Sequence, residues 1–148
     1  MKTTRVFLDT SALFAAIWSA SGGARKILKL GEAKAITPIV SSRVLVELEG
    51  AIRRKADGLM PRLAVLLETS GLEEVSEGSH SGLNLTGIIN HPADEKSIET
   101  AFSAEADYIV TLDREHFLNN QFLIDSLPFP IGTPGDFLNW YGSSLVRN

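Results

Sequence analysis

Val6-Phe7-Leu8-Asp9-Thr10 and Ile109-Val110-Thr111-Leu112-Asp113 are two short apolar runs that end alike, each giving way to an aspartate. An unbroken β-branched, aromatic or leucine run is the pattern of a strand buried on both faces. Helical patterns fill the chain between such runs. A helix begins near Ser11, breaks at Ser21-Gly22-Gly23 and resumes over residues 24–30. Residues 35–40 read as a second strand. Ser41 or Ser42 can cap a helix running to residue 55, with Val44, Leu45, Leu48, Ala51 and Ile52 as its apolar stripe. Pro61 suits the first turn of a further helix. A strand over 72–75, a helix opened by Asp94 and running to about 105, a last strand over 129–131 and a helix from Pro134 complete the pattern. Strands alternating with helices predict a three-layer α/β/α sandwich around a central parallel sheet, as one domain over residues 1–148. In such sheets functional groups gather at the carboxyl ends of the strands, which would place Asp9 and Asp113 on one edge.

Two carboxylates brought together raise each other's pKa unless a cation intervenes. Mg²⁺ or Mn²⁺ is the usual cation, because hard ions take carboxylate oxygens. The plainer role for each aspartate is to cap the turn that follows it, Asp9 by bonding amides near Leu13. Asp94 too stands where an N-cap is expected. It precedes Ile98 and Phe102 by four and eight residues, which leans it toward the buried face of its helix. Glu47 and Glu49 flank the stripe of the helix ending at 55 by similar angles. Arg43 and Arg54 share the side of Glu47, and Leu45 and Ile52 that of Glu49, so periodicity leaves the choice open and a surface ion pair is the ordinary use of either. His80, His91 and His116 fall in loops, and no His-x-x-x-His pair exists. Gly22-Gly23 fits neither glycine-rich phosphate motif. Ser11 lacks a nucleophile-elbow context.

Composition narrows the function further. The 148 residues carry a formal net charge of −4, which excludes a broadly basic nucleic-acid-binding coat. The charge is polarised. Residues 1–62 hold 11 basic and 5 acidic groups, and residues 63–148 hold 3 and 13. The absence of cysteine removes disulfides, thiolate metal sites and a cysteine nucleophile. The apolar stretch after Lys2 and Arg5 is interrupted by Asp9, a poor fit to a signal peptide. No apolar run is long enough for a membrane span. These features describe a soluble cytoplasmic protein.

The same residues resemble the PIN-domain family along nearly the whole chain. Val6 to Leu13 is similar to the family's opening strand, its first acid and the adjacent hydroxyl residue. SRVLVELEGAIRRK, residues 42–55, is similar to the helix carrying the second acid, and the match falls on Glu47. HPADEKSIETAFSAEADYIVTLDREHF, residues 91–117, is the most specific part, with the third acid at Asp94, then Ala-Asp and a strand closing in Thr111-x-Asp113. Ile131-Gly132-Thr133-Pro134 with Phe137-Leu138 resembles the last strand and helix. The chain departs from the pattern at His91, where relatives often carry an acid, at Glu115, in place of an auxiliary aspartate, and in the long polar stretch 76–90.

The resemblance implies a metal-dependent endoribonuclease, including the toxin of a toxin–antitoxin pair. Asp9, Asp94 and Asp113 would hold one or two Mg²⁺ or Mn²⁺ ions, with Glu47 as a further ligand or a group orienting water. Ions so held stabilise the attacking and leaving oxygens at phosphorus. Thr10, Ser11 and Thr111 would support the acids or contact phosphate. Arg43, Arg53, Arg54 and Lys55 would meet the RNA backbone. An antitoxin protein and a homodimer are the implied partners, with Phe137, Trp140 and Tyr141 serving the dimer or the core. A non-catalytic PIN-like module that binds RNA or protein is the alternative. A phosphatase using Asp9 is a third reading, disfavoured because Ser11 stands where a second aspartate is wanted. Four site acids equal the whole net charge in number, so bound cations would leave a neutral remainder. RNA affinity should then need the metal and the basic groups of 43–55.

Overall fold

The computed structural model describes residues 2–77, 85, 88–89 and 91–147. His80 and most of the polar stretch 76–90 lie outside the described residues. Five strands, β1 (Thr4–Leu8), β2 (Ile36–Ser41), β3 (Glu73–Val75), β4 (Tyr108–Val110) and β5 (Ile131–Gly132), form one parallel sheet in the order β3-β2-β1-β4-β5. The helices are α1 (Thr10–Trp18), α2 (Gly23–Glu32), α3 (Ser42–Lys55), α4 (Met60–Thr69), α5 (Pro92–Ser103), α6 (Gln121–Ser126) and α7 (Pro134–Arg147). This is the α/β/α architecture that the alternating pattern predicts.

Burial explains the central strands. Val6, Phe7, Leu8, Ile109 and Val110 are all at most 2% exposed, so β1 and β4 are covered on both faces. Their register pairs Val6 with Tyr108 and Leu8 with Val110. The chain runs outward from β1 through β2 to β3, then returns to β4 on the other side. The reversal of strand order therefore falls between β1 and β4, and a ligand crevice is expected outside the carboxyl ends of these two strands.

The helices seat on this sheet by amphipathic stripes. In α3 the stripe is Val44, Leu48, Ala51 and Ile52, and the Ser41 hydroxyl caps the helix by accepting from the Val44 amide at 3.0 Å. In α2 it is Ala24, Ile27, Leu28 and Gly31. A Cβ on Gly31 would strike the Ser70 carbonyl oxygen and stand 2.7 Å from Pro38 Cγ, so only glycine allows α2 this close to β2 and the end of α4. At the far end, Phe137 and Trp140 of α7 pack on Tyr108, with ring centroids 5.1 and 5.0 Å away, and Tyr141 stacks on Phe137. Burial, with help from Asp136, pushes the Tyr108 hydroxyl up to about 12. These aromatic residues of α7 thus pack within the chain.

Three boundaries differ from the sequence reading. The last strand starts at Ile131 and not at 129, because Pro128 and Pro130 have no amide to donate, although the Pro130 carbonyl still accepts from Ile109 N–H at 3.1 Å. Helix α5 starts at Pro92, which puts Asp94 inside the first turn rather than at the cap. A π-helical turn, Arg114–Leu118, and α6 follow β4 where the sequence offers no clear stripe. Among the described residues no helix is long and apolar enough to cross a membrane.

Candidate active site

Asp9 leaves β1 as the N-cap of α1, so its capping and site roles coincide. Its carboxylate accepts from the Ser11 amide at 3.4 Å, the Ser11 hydroxyl at 3.2 Å and the Thr111 hydroxyl at 2.5 Å. The backbone bond to Leu13 comes from the Asp9 carbonyl and not from its side chain. Every donor to this carboxylate is neutral, and among the described residues no cationic side chain pairs with it. Burial pushes the Asp9 carboxyl above its ordinary 3.8. The bonds from Thr111 and Ser11 oppose that rise, and neighbouring Asp113 adds to it.

Asp113 is placed by the parallel route on β4. Thr111 is fully buried, and its hydroxyl accepts from the Asp113 amide at 3.0 Å while donating to Asp9. The Ser11 hydroxyl accepts from the Leu112 amide at 3.0 Å. Ser11 and Thr111 therefore lock the two strand ends to each other. Asp113 then caps the π-helical turn, its Oδ1 accepting from the His116 amide at 3.0 Å. Its Oδ2 lies 2.9 Å from His116 Nδ1.

Asp94 reaches the same place from α5, with Oδ2 3.6 Å from His116 Nδ1. Burial raises its carboxyl above 3.8. His116 pulls it back, Asp113 raises it further, and His91 and Arg43 lower it. The His116 imidazole is raised above 6.5, first by its hydrogen bond to Asp113, against some desolvation, then by the charges of Asp113, Asp94 and Glu115.

Glu47 rather than Glu49 faces this edge. Its Oε2 accepts from the Thr10 hydroxyl at 2.9 Å, and its Oε1 pairs with Arg43 one turn earlier. Thr10 thus ties Glu47 to the residue next to Asp9. Arg43 is deeply engaged. Its Nη2 donates to the Ala93 carbonyl and the Ser97 hydroxyl, both at 2.7 Å, and its Nε faces Glu77. It braces α3 against α5 and neutralises Glu47 from within the protein. Arg54 lies seven residues further along α3, roughly 10 Å away, exposed beside Arg53 and Lys55. Lys55 sits over the Phe14 ring at 5.6 Å.

The structure thus brings Asp113 within electrostatic reach of both Asp9 and Asp94, ties Glu47 through Thr10 to the residue next to Asp9, and leaves Arg54 apart. The sequence reading gave His116 little weight. Its spacing of three from Asp113, across one helical turn, is the signal that finds it. The oxygen donors and the uncompensated charge of Asp9 suit a hard divalent cation.

A parallel α/β/α sheet with aspartates at the carboxyl ends of the strands beside its strand-order reversal defines a class of protein with an acidic centre at that edge. The chain belongs to the PIN-domain family: the family model described as PIN domain matches residues 5–115. The structure is similar to the crystal structure of VapBC2 from Rickettsia felis bound to a DNA fragment from its promoter. That likeness has a TM-score of 0.63 at 22% identity and covers 87% of this chain and 97% of the other. No curated protein matches the chain.

Proposed function

We propose that the whole chain, residues 1–148, is one PIN-type domain acting as a metal-dependent endoribonuclease that cuts RNA phosphodiester bonds. The observation that carries this is the Asp9 carboxylate, partly buried, bonded only by neutral donors and pressed by Asp113. A desolvated charge in that position calls for a cation. Asp9, Asp94 and Asp113 would hold Mg²⁺ or Mn²⁺, which when bound supplies Lewis acidity and charge neutralisation at a phosphate. Ser11 and Thr111 fix the Asp9 carboxylate before any ion arrives, so little reorganisation is left at binding. Glu47, held by Thr10 and Arg43, would complete the ligands or orient the attacking water. Thr10, Ser11 and Thr111 act mainly through the acids. Arg53 and Arg54 offer exposed positive charge to an RNA backbone, and Arg43 contributes its charge by bracing the site.

The likeness to VapBC2 supports a toxin role with an antitoxin partner. A cytoplasmic location and a homodimer belong to the same reading. The test is RNA cleavage by purified protein with Mg²⁺, Mn²⁺ or chelator. Wild-type protein should cut only with the ion, and Asp9→Asn and Asp113→Asn should lose this. Undiminished cleavage by either variant, with contaminating nucleases excluded by an inactive control preparation, sinks the proposal.

A further inference from the structure

Two imidazoles stand against the acidic centre. His91 precedes α5 as its N-cap residue, and His116 projects from the π-helical turn after β4. Their rings meet edge to face with centroids 4.2 Å apart. One donor atom from each of His91, Asp94 and His116 lies within 4.8 Å of the other two. These residues line a cavity of about 250 Å³, with Glu115 and Asn120 at its wall and Ile88 and Ile89 beside them.

We propose that His91, Asp94 and His116 bind one borderline transition-metal ion of the Zn²⁺ class in this cavity, and that they select it over Mg²⁺. Donor atoms sharing an ion at bonds of about 2.1 Å stand roughly 3–4 Å apart. The 3.6 Å between His116 Nδ1 and Asp94 Oδ2 already has that spacing. The 4.8 Å span of the full set closes with a shift of about 1 Å, and His91 is exposed enough to make it. Two nitrogens and one oxygen suit Zn²⁺, Co²⁺ or Ni²⁺, whereas Mg²⁺ keeps its water and prefers oxygen donors. The supporting contacts are present too. Asp113 Oδ2 lies 2.9 Å from that same His116 Nδ1, so its hydrogen bond gives way as the ion takes the nitrogen and its carboxylate stands beside the ion. Glu115, on the same wall, offers a further carboxylate against the charge of the ion. A cavity of this size leaves room for solvent on the ion beyond the three protein donors.

This site rests on the carboxylate reading only through Asp94, which both would use. The test uses the full chain stripped by chelator and then titrated with Zn²⁺ by calorimetry in excess Mg²⁺. Co²⁺ serves as a visible-absorption probe, and Cu²⁺, which imidazole also suits, as a pulsed-EPR probe of imidazole nitrogen. One Zn²⁺ should bind despite Mg²⁺, with nitrogen coupling to the Cu²⁺ probe. His91→Ala should weaken Zn²⁺ by more than the ~10–100-fold that losing a mere supporting group costs. His91→Asp should keep binding but turn the preference toward Mg²⁺ and Mn²⁺. Circular dichroism checks the folding of each variant, and the His91 variants carry the test should His116→Ala fail to fold. Zn²⁺ displaced freely by Mg²⁺, absent nitrogen coupling, or His91→Ala binding as wild type would each overturn the proposal. Nitrogen coupling without Mg²⁺-dependent RNA cleavage would refute the nuclease reading and leave this site standing, and cleavage without nitrogen coupling would do the reverse.

Discussion

Replacing Asp9 with asparagine should stabilise the metal-free protein while removing its function. The side chains are nearly the same size, so packing is unchanged and the difference is electrostatic. Full burial of an isolated ion costs several kcal/mol, and the partly buried Asp9 carries about 3 kcal/mol of that. Its two hydroxyl bonds, from Thr111 at 2.5 Å and Ser11 at 3.2 Å, recover about 1 kcal/mol each beyond what a neutral acceptor would gain. The charged form is left about 1 kcal/mol worse off, in keeping with the raised Asp9 carboxyl. Both hydroxyls have lone pairs to meet the new amide N–H. Asp9→Asn should therefore melt about 3–4 °C higher than wild type in chelator at neutral pH. Because the folded pKa is raised, this penalty is absent below 3.8 and grows as pH rises through the raised value. The stability gap between variant and wild type should follow that rise. With Mn²⁺ at a hundred times its dissociation constant, wild type gains about 2.7 kcal/mol and the order of melting temperatures reverses. Thermal melts by circular dichroism, with chelator and with Mn²⁺, read both halves. A variant less stable than wild type in chelator would show the carboxylate to be a net structural asset, and equal Mn²⁺ stabilisation of both proteins would show that Asp9 is no ligand.

Further outcomes follow from the same geometry. Arg43→Ala strips the Ala93 carbonyl and Ser97 hydroxyl of a charged donor and should cost about 1–3 kcal/mol in urea unfolding, where a mere surface arginine would cost under about 0.5 kcal/mol. Gly31→Ala forces a Cβ against the Ser70 carbonyl and the Pro38 ring, and should lose about 1–3 kcal/mol in the same assay. The stabilising contact of His116 with Asp113 is complete below pH 6.5 and is lost as pH rises through the raised His116 value, so metal-free wild type should lose stability across that window and His116→Gln should not. Neutralising Arg53 and Arg54 to glutamine should flatten the salt dependence of single-stranded RNA binding by about 1.4 in log–log slope, measured by filter binding with an inactive background variant. An unchanged slope would place the RNA elsewhere.

The fold was legible because its cues are local and redundant. Unbroken apolar runs at 6–8 and 109–110 announce strands covered on both faces, and the pair Ser41-Ser42 announces the start of α3, which Ser41 caps. The acids at positions 9 and 113 were legible for the same reason, since each simply follows its strand. What the sequence could not show are choices made by tertiary contact. Glu47 and Glu49 are equivalent on a helical wheel, and the Thr10 hydroxyl, arriving from another element, breaks the tie. Arg43 reads as an ion-pair partner of Glu47 or an RNA contact, and only the fold brings Ala93 and Ser97 of α5 to it. His116 reads as a loop histidine until the π-helical turn folds it back onto Asp113.

These three cases bear on how the centre works. Each contact fixes or neutralises an acid by using a group whose partner only the fold decides. The positive charge counted in the first 62 residues is thus partly spent inside the protein, on Glu47 through Arg43. Asp9 receives no such internal cation among the described residues. An internal cation placed there would relieve the very strain that makes a divalent ion worth binding. Under the proposed metal-dependent reading, the uneven neutralisation, with Glu47 paired and Asp9 left to neutral donors, would direct an ion to the strand ends with Glu47 ordered at its side.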